Sequence, residues 1–106
     1  MVAELEKHRG ALANLCRRFG VRRLEAFGAA SSAGPDVERD EYEFLVELEP
    51  PEGTSRFDAF FGLKEEMERL LCRTVELVDP SALANPYLAE LVEDTRQELY
   101  RTGLPS

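Results

Sequence analysis

Histidine is nearly missing from this sequence. His8 stands alone, on a polar helical stretch, so neither a histidine-based triad nor a multi-histidine metal site can be built. Cysteine is almost as scarce. Cys16 and Cys72 lie far apart with no CxxC spacing, which excludes a zinc set, and each sits among apolar residues as expected of a buried free thiol. No apolar run approaches the roughly 20 residues of a membrane helix. The N-terminal residues Met1–Glu6 lack the basic start and apolar core of a signal peptide, which leaves a cytoplasmic location as the default expectation. Repeats and low-complexity segments are absent. Positive charge is in deficit, with 13 Lys and Arg against 21 Asp and Glu and a net charge of -8. Such a surface repels a phosphate backbone, so broad nucleic-acid binding is not expected.

What is present is 106 residues, 43% hydrophobic and 32% charged, which fits one soluble domain over residues 1–106. The imbalance of charge is local. Residues 1–23 sum to +4 and the remainder to -12. Leu5, Leu12, Leu15, Cys16 and Phe19 recur at helical spacing and predict a helix over 2–19 that Gly20 stops. A short strand over 22–27 runs into Gly28 and a small-residue turn, Ala29 to Pro35. Residues 41–49 alternate strictly. Tyr42, Phe44, Val46 and Leu48 face one way, and Glu41, Glu43, Leu45, Glu47 and Glu49 the other. A second helix is expected over 55–72, capped by Ser55 and presenting Phe57, Phe60, Phe61, Met67, Leu70 and Leu71. A strand over 74–78 follows. The last helix starts at Asn85-Pro86 and carries Leu88, Leu91, Val92, Thr95 and Leu99 inward to Gly103. The order predicts an α+β fold, a small mixed sheet with helices packed on one face.

One constellation could carry chemistry. A strand ends at Gly28 and a small-residue turn, where backbone N–H groups can face a phosphate. The next strand puts Glu41 and Glu43 on one face, and a third places Glu76 among apolar neighbours. Carboxylates grouped this way suit magnesium held together with substrate phosphates, for phosphoryl or nucleotidyl transfer. From spacing alone, such residues more often form a solvated strand face beside a plain loop, and composition and periodicity do not by themselves point to an enzyme.

A resemblance bears on that choice. The run from Leu15 to Gly28 (LCRRFGVRRLEAFG) resembles the opening of the minimal nucleotidyltransferases, small members of the DNA polymerase beta superfamily often paired with a HEPN-domain protein in toxin–antitoxin modules. Residues 41–48 fall where the family carries Asp-x-Asp before an apolar strand. Residues 61–68 resemble its helix, Arg73–Val78 the strand of its third Asp, and Asn85–Leu88 the start of its closing helix. The similarity spans about residues 12–100. It implies Glu41, Glu43 and Glu76 as metal ligands, with Glu76 also catalytic, and Gly28 and Ala29 as the nucleotide-binding turn. It also implies ATP and magnesium as substrate and cofactor of an active member, and a HEPN-domain protein as partner.

The departures fall on the chemistry. All three Asp positions are Glu, the Ser of the family's Gly-Ser is Ala29, its Arg-Gly is Ser32-Ala33, and Asp40 replaces the Ser before the acidic pair. Each carboxylate moves outward by one methylene, and magnesium tolerates little error at ligand distances of about 2.0–2.1 Å. A degenerate member, acting as the antitoxin-like component of such a pair through partner binding with weak or no catalysis, is therefore expected. The alternative is an active metal-dependent enzyme that transfers AMP from ATP to a protein hydroxyl. Retention of three mutually repelling acids fits a cation that still binds, and equally longer side chains splayed into water. A third reading is a self-associating domain that binds no nucleotide.

Overall fold

The structure, a computed structural model, describes residues 3–28 and 41–102. Four strands form one mixed sheet in the order β3-β2-β1-β4: β1 (Val21–Phe27), β2 (Glu41–Leu48), β3 (Thr74–Val78) and β4 (Gln97–Arg101). β1 pairs antiparallel with both β2 and β4, while β2 and β3 run parallel. The parallel pair needs a crossover, and α3 (Arg56–Leu71) supplies it.

One face of the sheet is covered by α1 (Ala3–Lys7), α2 (Arg9–Phe19) and α3, as the helical periodicity predicts. The even-numbered side chains of β2 are buried there with Leu24, Ala26, Val75 and Leu77, against Leu5, Leu12, Cys16, Leu63 and Met67. Full burial of each large aliphatic contributes on the order of 1.5–3 kcal/mol. The two N-terminal helices meet at His8, and their hydrogen bonding continues across it, from the His8 N–H to the Glu4 carbonyl and from the Leu12 N–H to the His8 carbonyl. The expected caps form. Ser55 accepts the Asp58 N–H at 3.0 Å, and Gly20 ends α2 with φ +76°.

Three expectations are revised. The buried stripe of α3 is Ala59, Leu63, Met67 and Leu71, with Phe60 and Leu70 packed at its edge, whereas Phe57 and Phe61 lie outside it. A small residue at 59 lets the helix approach the sheet, which leaves Phe57 and Phe61 exposed and in tilted contact with each other, ring centroids 4.6 Å apart. Cys72 is exposed, because it ends α3 in the left-handed conformation with φ +54°, whereas Cys16 is buried as expected. The last helix, α4 (Pro86–Thr95), stops well before Leu99. Arg96 turns to an extended conformation and residues 97–101 pair with the open edge of β1 as β4, where Leu99 is buried as a strand residue. Thr95 and Leu91 are accordingly not core helix positions, and Leu91 is 41% exposed.

Helix α4 and the short 3-10 helix Pro80–Ala84 lie on the second face. Val92 packs there on Phe27 and Leu45, with Val78, Leu83 and Leu88 around them. Leu45 is the apolar interruption in the Glu row of β2, and it is what α4 covers. None of the described helices is long and apolar enough to cross a membrane.

Candidate nucleotidyl-transfer site

The parallel register sets Glu43 beside Glu76 and Glu41 beside Thr74, while the antiparallel register sets Glu43 beside Phe27. Side chains two apart share a face. Glu41, Glu43 and Glu76 therefore occupy the part of the second face that α4 leaves uncovered, next to the end of β1. Glu41 and Glu76 are exposed and Glu43 is half-buried. Opposed like charges on adjacent strands, roughly 4.8 Å apart, repel, and exposure lets them relax into water.

Gly28 follows β1 with φ +61°, a conformation that disfavours any residue with a β-carbon. A second constraint acts at the same point. The Glu43 carboxylate lies over this glycine, with Oε2 2.9 Å from where a β-carbon would stand. The Gly28 N–H donates to the Thr95 hydroxyl at 2.8 Å, and that hydroxyl donates to the Leu91 carbonyl at 2.6 Å. The last turn of α4 thus holds the strand end on which the resemblance places nucleotide binding. Ala29 and the rest of the small-residue turn, 30–40, lie outside the described residues.

The sequence-predicted residues are therefore brought together in part. Gly28, Glu43 and Glu76 are neighbours, and Glu41 lies one residue pair farther along the same face. Among the described residues, no group of three or more His, Cys, Asp or Glu side chains is arranged to hold a metal ion. As they stand, the three glutamates share a face without forming the close oxygen set that octahedral magnesium requires.

Two contributors were not evident in the sequence. One is Thr95, which reads there as an ordinary inner-face helix residue. The other is the pair formed by Glu25 and Arg96, which share two hydrogen bonds of 2.8 and 2.7 Å across 71 residues. No local spacing signals either one. On the far face, Arg73, just before β3, donates to Glu4 at 3.0 Å and lies 4.9 Å over the Tyr42 ring, while the Tyr42 hydroxyl donates to Glu4 at 3.0 Å. Burial, then the hydrogen bond to Glu4, raises the Tyr42 pKa. This cluster ties α1 to the sheet beneath the acidic face.

An α+β domain of this topology, with acids on adjacent strands beside a strand-end glycine, has the nucleotidyltransferase-like fold. Its relatives among solved structures agree. A structure assigned to the minimal nucleotidyltransferases is 31% identical, with a TM-score of 0.66 over 92% of this chain and 95% of that one. The chain belongs to the minimal nucleotidyltransferase family. A chain from the toxin–antitoxin structure MntA–HpeT, in a mutant with two aspartates two positions apart changed to glutamate, is 22% identical, with a TM-score of 0.63 over 90% of this chain and 74% of that one. A chain from tri-AMPylated Shewanella oneidensis HEPN toxin in complex with MNT antitoxin is 18% identical, with a TM-score of 0.62 over 92% and 73%. No family model and no curated protein sequence matches the chain.

Proposed function

We propose that this protein is a degenerate minimal nucleotidyltransferase with weak or no nucleotidyl transfer, acting as the antitoxin-like member of a HEPN/MNT pair through partner binding. The observation that carries this reading is the arrangement of Glu41, Glu43 and Glu76, which share a face without closing into a metal-binding group. The mutant relative supports it from another side. Its Glu-x-Glu spacing is that of Glu41 and Glu43, and it was crystallised as the toxin–antitoxin MntA–HpeT. Carboxylates displaced by a methylene are expected to lose rate steeply, since a misplacement of about 1 Å can cost on the order of a hundredfold.

The test is co-expression with a HEPN-domain protein encoded beside the gene, followed by labelling with ATP carrying a labelled AMP moiety. Co-purification without transfer of label is expected. Robust magnesium-dependent labelling of the partner, abolished by Glu43→Ala, would overturn the reading.

One observation favours an active enzyme instead. Glu43 and Glu76 stay in register beside Gly28, as the acids of an active member would. In that case Glu41, Glu43 and Glu76 would hold magnesium, which would supply charge neutralisation at the phosphates, and Glu76 would take the proton of the attacking hydroxyl. The labelling experiment separates the two readings.

A further inference from the structure

We propose that the aromatic surface at the start of α3 is where two copies of this chain associate, helix against helix, with Glu65 of each copy paired to Arg18 of the other. The proposal does not rest on the proposed function, because α3 covers the first face of the sheet and the three glutamates lie on the second. Phe57 is 70% exposed and Phe61 45%, and their rings are in contact. Phe60 meets Phe61 edge-on, with ring centroids 5.3 Å apart. Phe19 extends the surface from the end of α2. Its ring packs on Gly62, 2.8 Å from where a β-carbon would stand. Single exposed apolar side chains are ordinary, but a contiguous aromatic surface on an otherwise charged helix marks a contact site.

Charge selects a second copy as the occupant. α2 ends and α3 begins at the same end of the sheet, where the Glu49 N–H donates to the Gly20 carbonyl at 2.7 Å. This is the end away from Gly28 and Glu41. Arg18 therefore stands beside the first half of α3, with its guanidinium 5.1 Å over the Phe19 ring. Glu65 lies one turn beyond Phe61, on the exposed stripe Phe57, Phe61, Glu65. Arg18 and Glu65 are both exposed, and among the described residues neither is in an ion pair, whereas Lys64, Glu66, Glu68 and Arg69 around Glu65 all are. An antiparallel crossing of two α3 helices about a twofold axis near Phe61 sets the aromatic rings against one another. It also carries Glu65 of each copy toward the Arg18 end of the other. Such a contact is self-complementary and closes at two copies. The net charge of -8 opposes association elsewhere on the surface, so the two crossed pairs single out this face. One helix pair buries less than the roughly 1,200 Å² of a standard interface, and weak, micromolar association is expected.

Sedimentation velocity of the purified chain from about 5 to about 500 µM tests this, a range that spans weak association. Reducing agent is kept throughout, since the exposed Cys72 could otherwise cross-link copies. The parent is expected to pass from monomer to dimer within that range, and Phe57→Ser/Phe61→Ser to stay monomeric. Arg18→Glu and Glu65→Arg should each weaken the dimer at least about tenfold, because each sets like charges against one another twice. An equimolar mixture of those two variants should dimerise about as tightly as the parent, because both crossed pairs are then of opposite sign again. Circular dichroism of each variant verifies folding, and the mixture separates a lost pair from a damaged chain. A parent that stays monomeric up to the highest concentration would overturn the proposal and leave the aromatic surface to a different protein. So would assembly that continues past the dimer, or a mixture that associates no more tightly than Arg18→Glu or Glu65→Arg alone.

Discussion

Glu25 and Arg96 meet through a two-pronged pair. Nε of Arg96 donates to Oε2 at 2.8 Å and Nη2 to Oε1 at 2.7 Å, with Glu25 only 3% exposed. The pair closes the junction where α4 gives way to β4, and so fixes the element that lies over the second face. The Arg96 hydrogen bonds, opposed by burial, hold the Glu25 carboxyl below the usual glutamate value of 4.5.

The two halves of this pair are not equivalent on deletion. Arg96→Ala removes both hydrogen bonds to the buried Glu25 and leaves it only Arg23, at 3.8 Å, so a cost of about 2–3 kcal/mol is expected, short of the larger loss of a wholly uncompensated buried ion. Glu25→Ala is expected to cost less, since Arg96 is 32% exposed and keeps Glu93 at 3.1 Å. In the parent chain the lowered pKa stabilises the fold in full above the unfolded glutamate value near 4.5, and that contribution is lost as pH falls through the lower folded value. The deficit of Arg96→Ala should shrink over the same fall in pH, because the stranded carboxyl takes a proton. Urea denaturation at pH 7 and pH 4 measures both effects.

Particular elements show how far sequence carries. The even residues of β2, the Gly20 stop and the Ser55 and Asn85 caps were legible because each is a local rule of period or hydrogen bonding. The same was true of the three acids on neighbouring strands. β4 was not, because Leu99 sits at helical spacing from Val92 and Thr95. What makes it a strand is the unpaired edge of β1 and the pull of Glu25 on Arg96, both far away in sequence. The spread of the carboxylates and the reach of Glu43 over Gly28 were equally invisible, since they depend on side-chain length across a register.

Two helix ends with left-handed residues should respond in opposite senses. Gly20→Ala places a β-carbon 2.9 Å from the Pro50 Cα and closer still to the Glu49 carbonyl, all backbone, at φ +76°. A loss of more than about 2 kcal/mol is expected, above the 1–2 kcal/mol of the conformation alone. Cys72 holds φ +54° with a side chain, so Cys72→Gly relieves that strain and should gain about 0.5–1 kcal/mol. Thermal and urea unfolding of both variants gives the two signs.

The two thiols should also separate by reactivity. Burial pushes the Cys16 thiol up to about 12, against a smaller opposing effect of Arg17, while Cys72 is exposed. A chromogenic disulfide reagent at pH 8 should count one thiol per native chain within minutes and two in denaturant. Two fast thiols in the native protein would contradict the burial of Cys16 beneath α2.

Thr95 provides the remaining test, because it is the link between α4 and the strand end at Gly28. Thr95→Val keeps the shape and removes the acceptor of the Gly28 N–H, while Thr95→Ser keeps it. A part-buried hydrogen bond lost on one side costs about 1–2 kcal/mol, so Val should be destabilised by that amount and Ser by much less. Amide exchange at Gly28 should quicken in the valine variant and stay near the parent rate in the serine one. Equal exchange rates in the two variants would show that the hydroxyl does not hold the glycine in place.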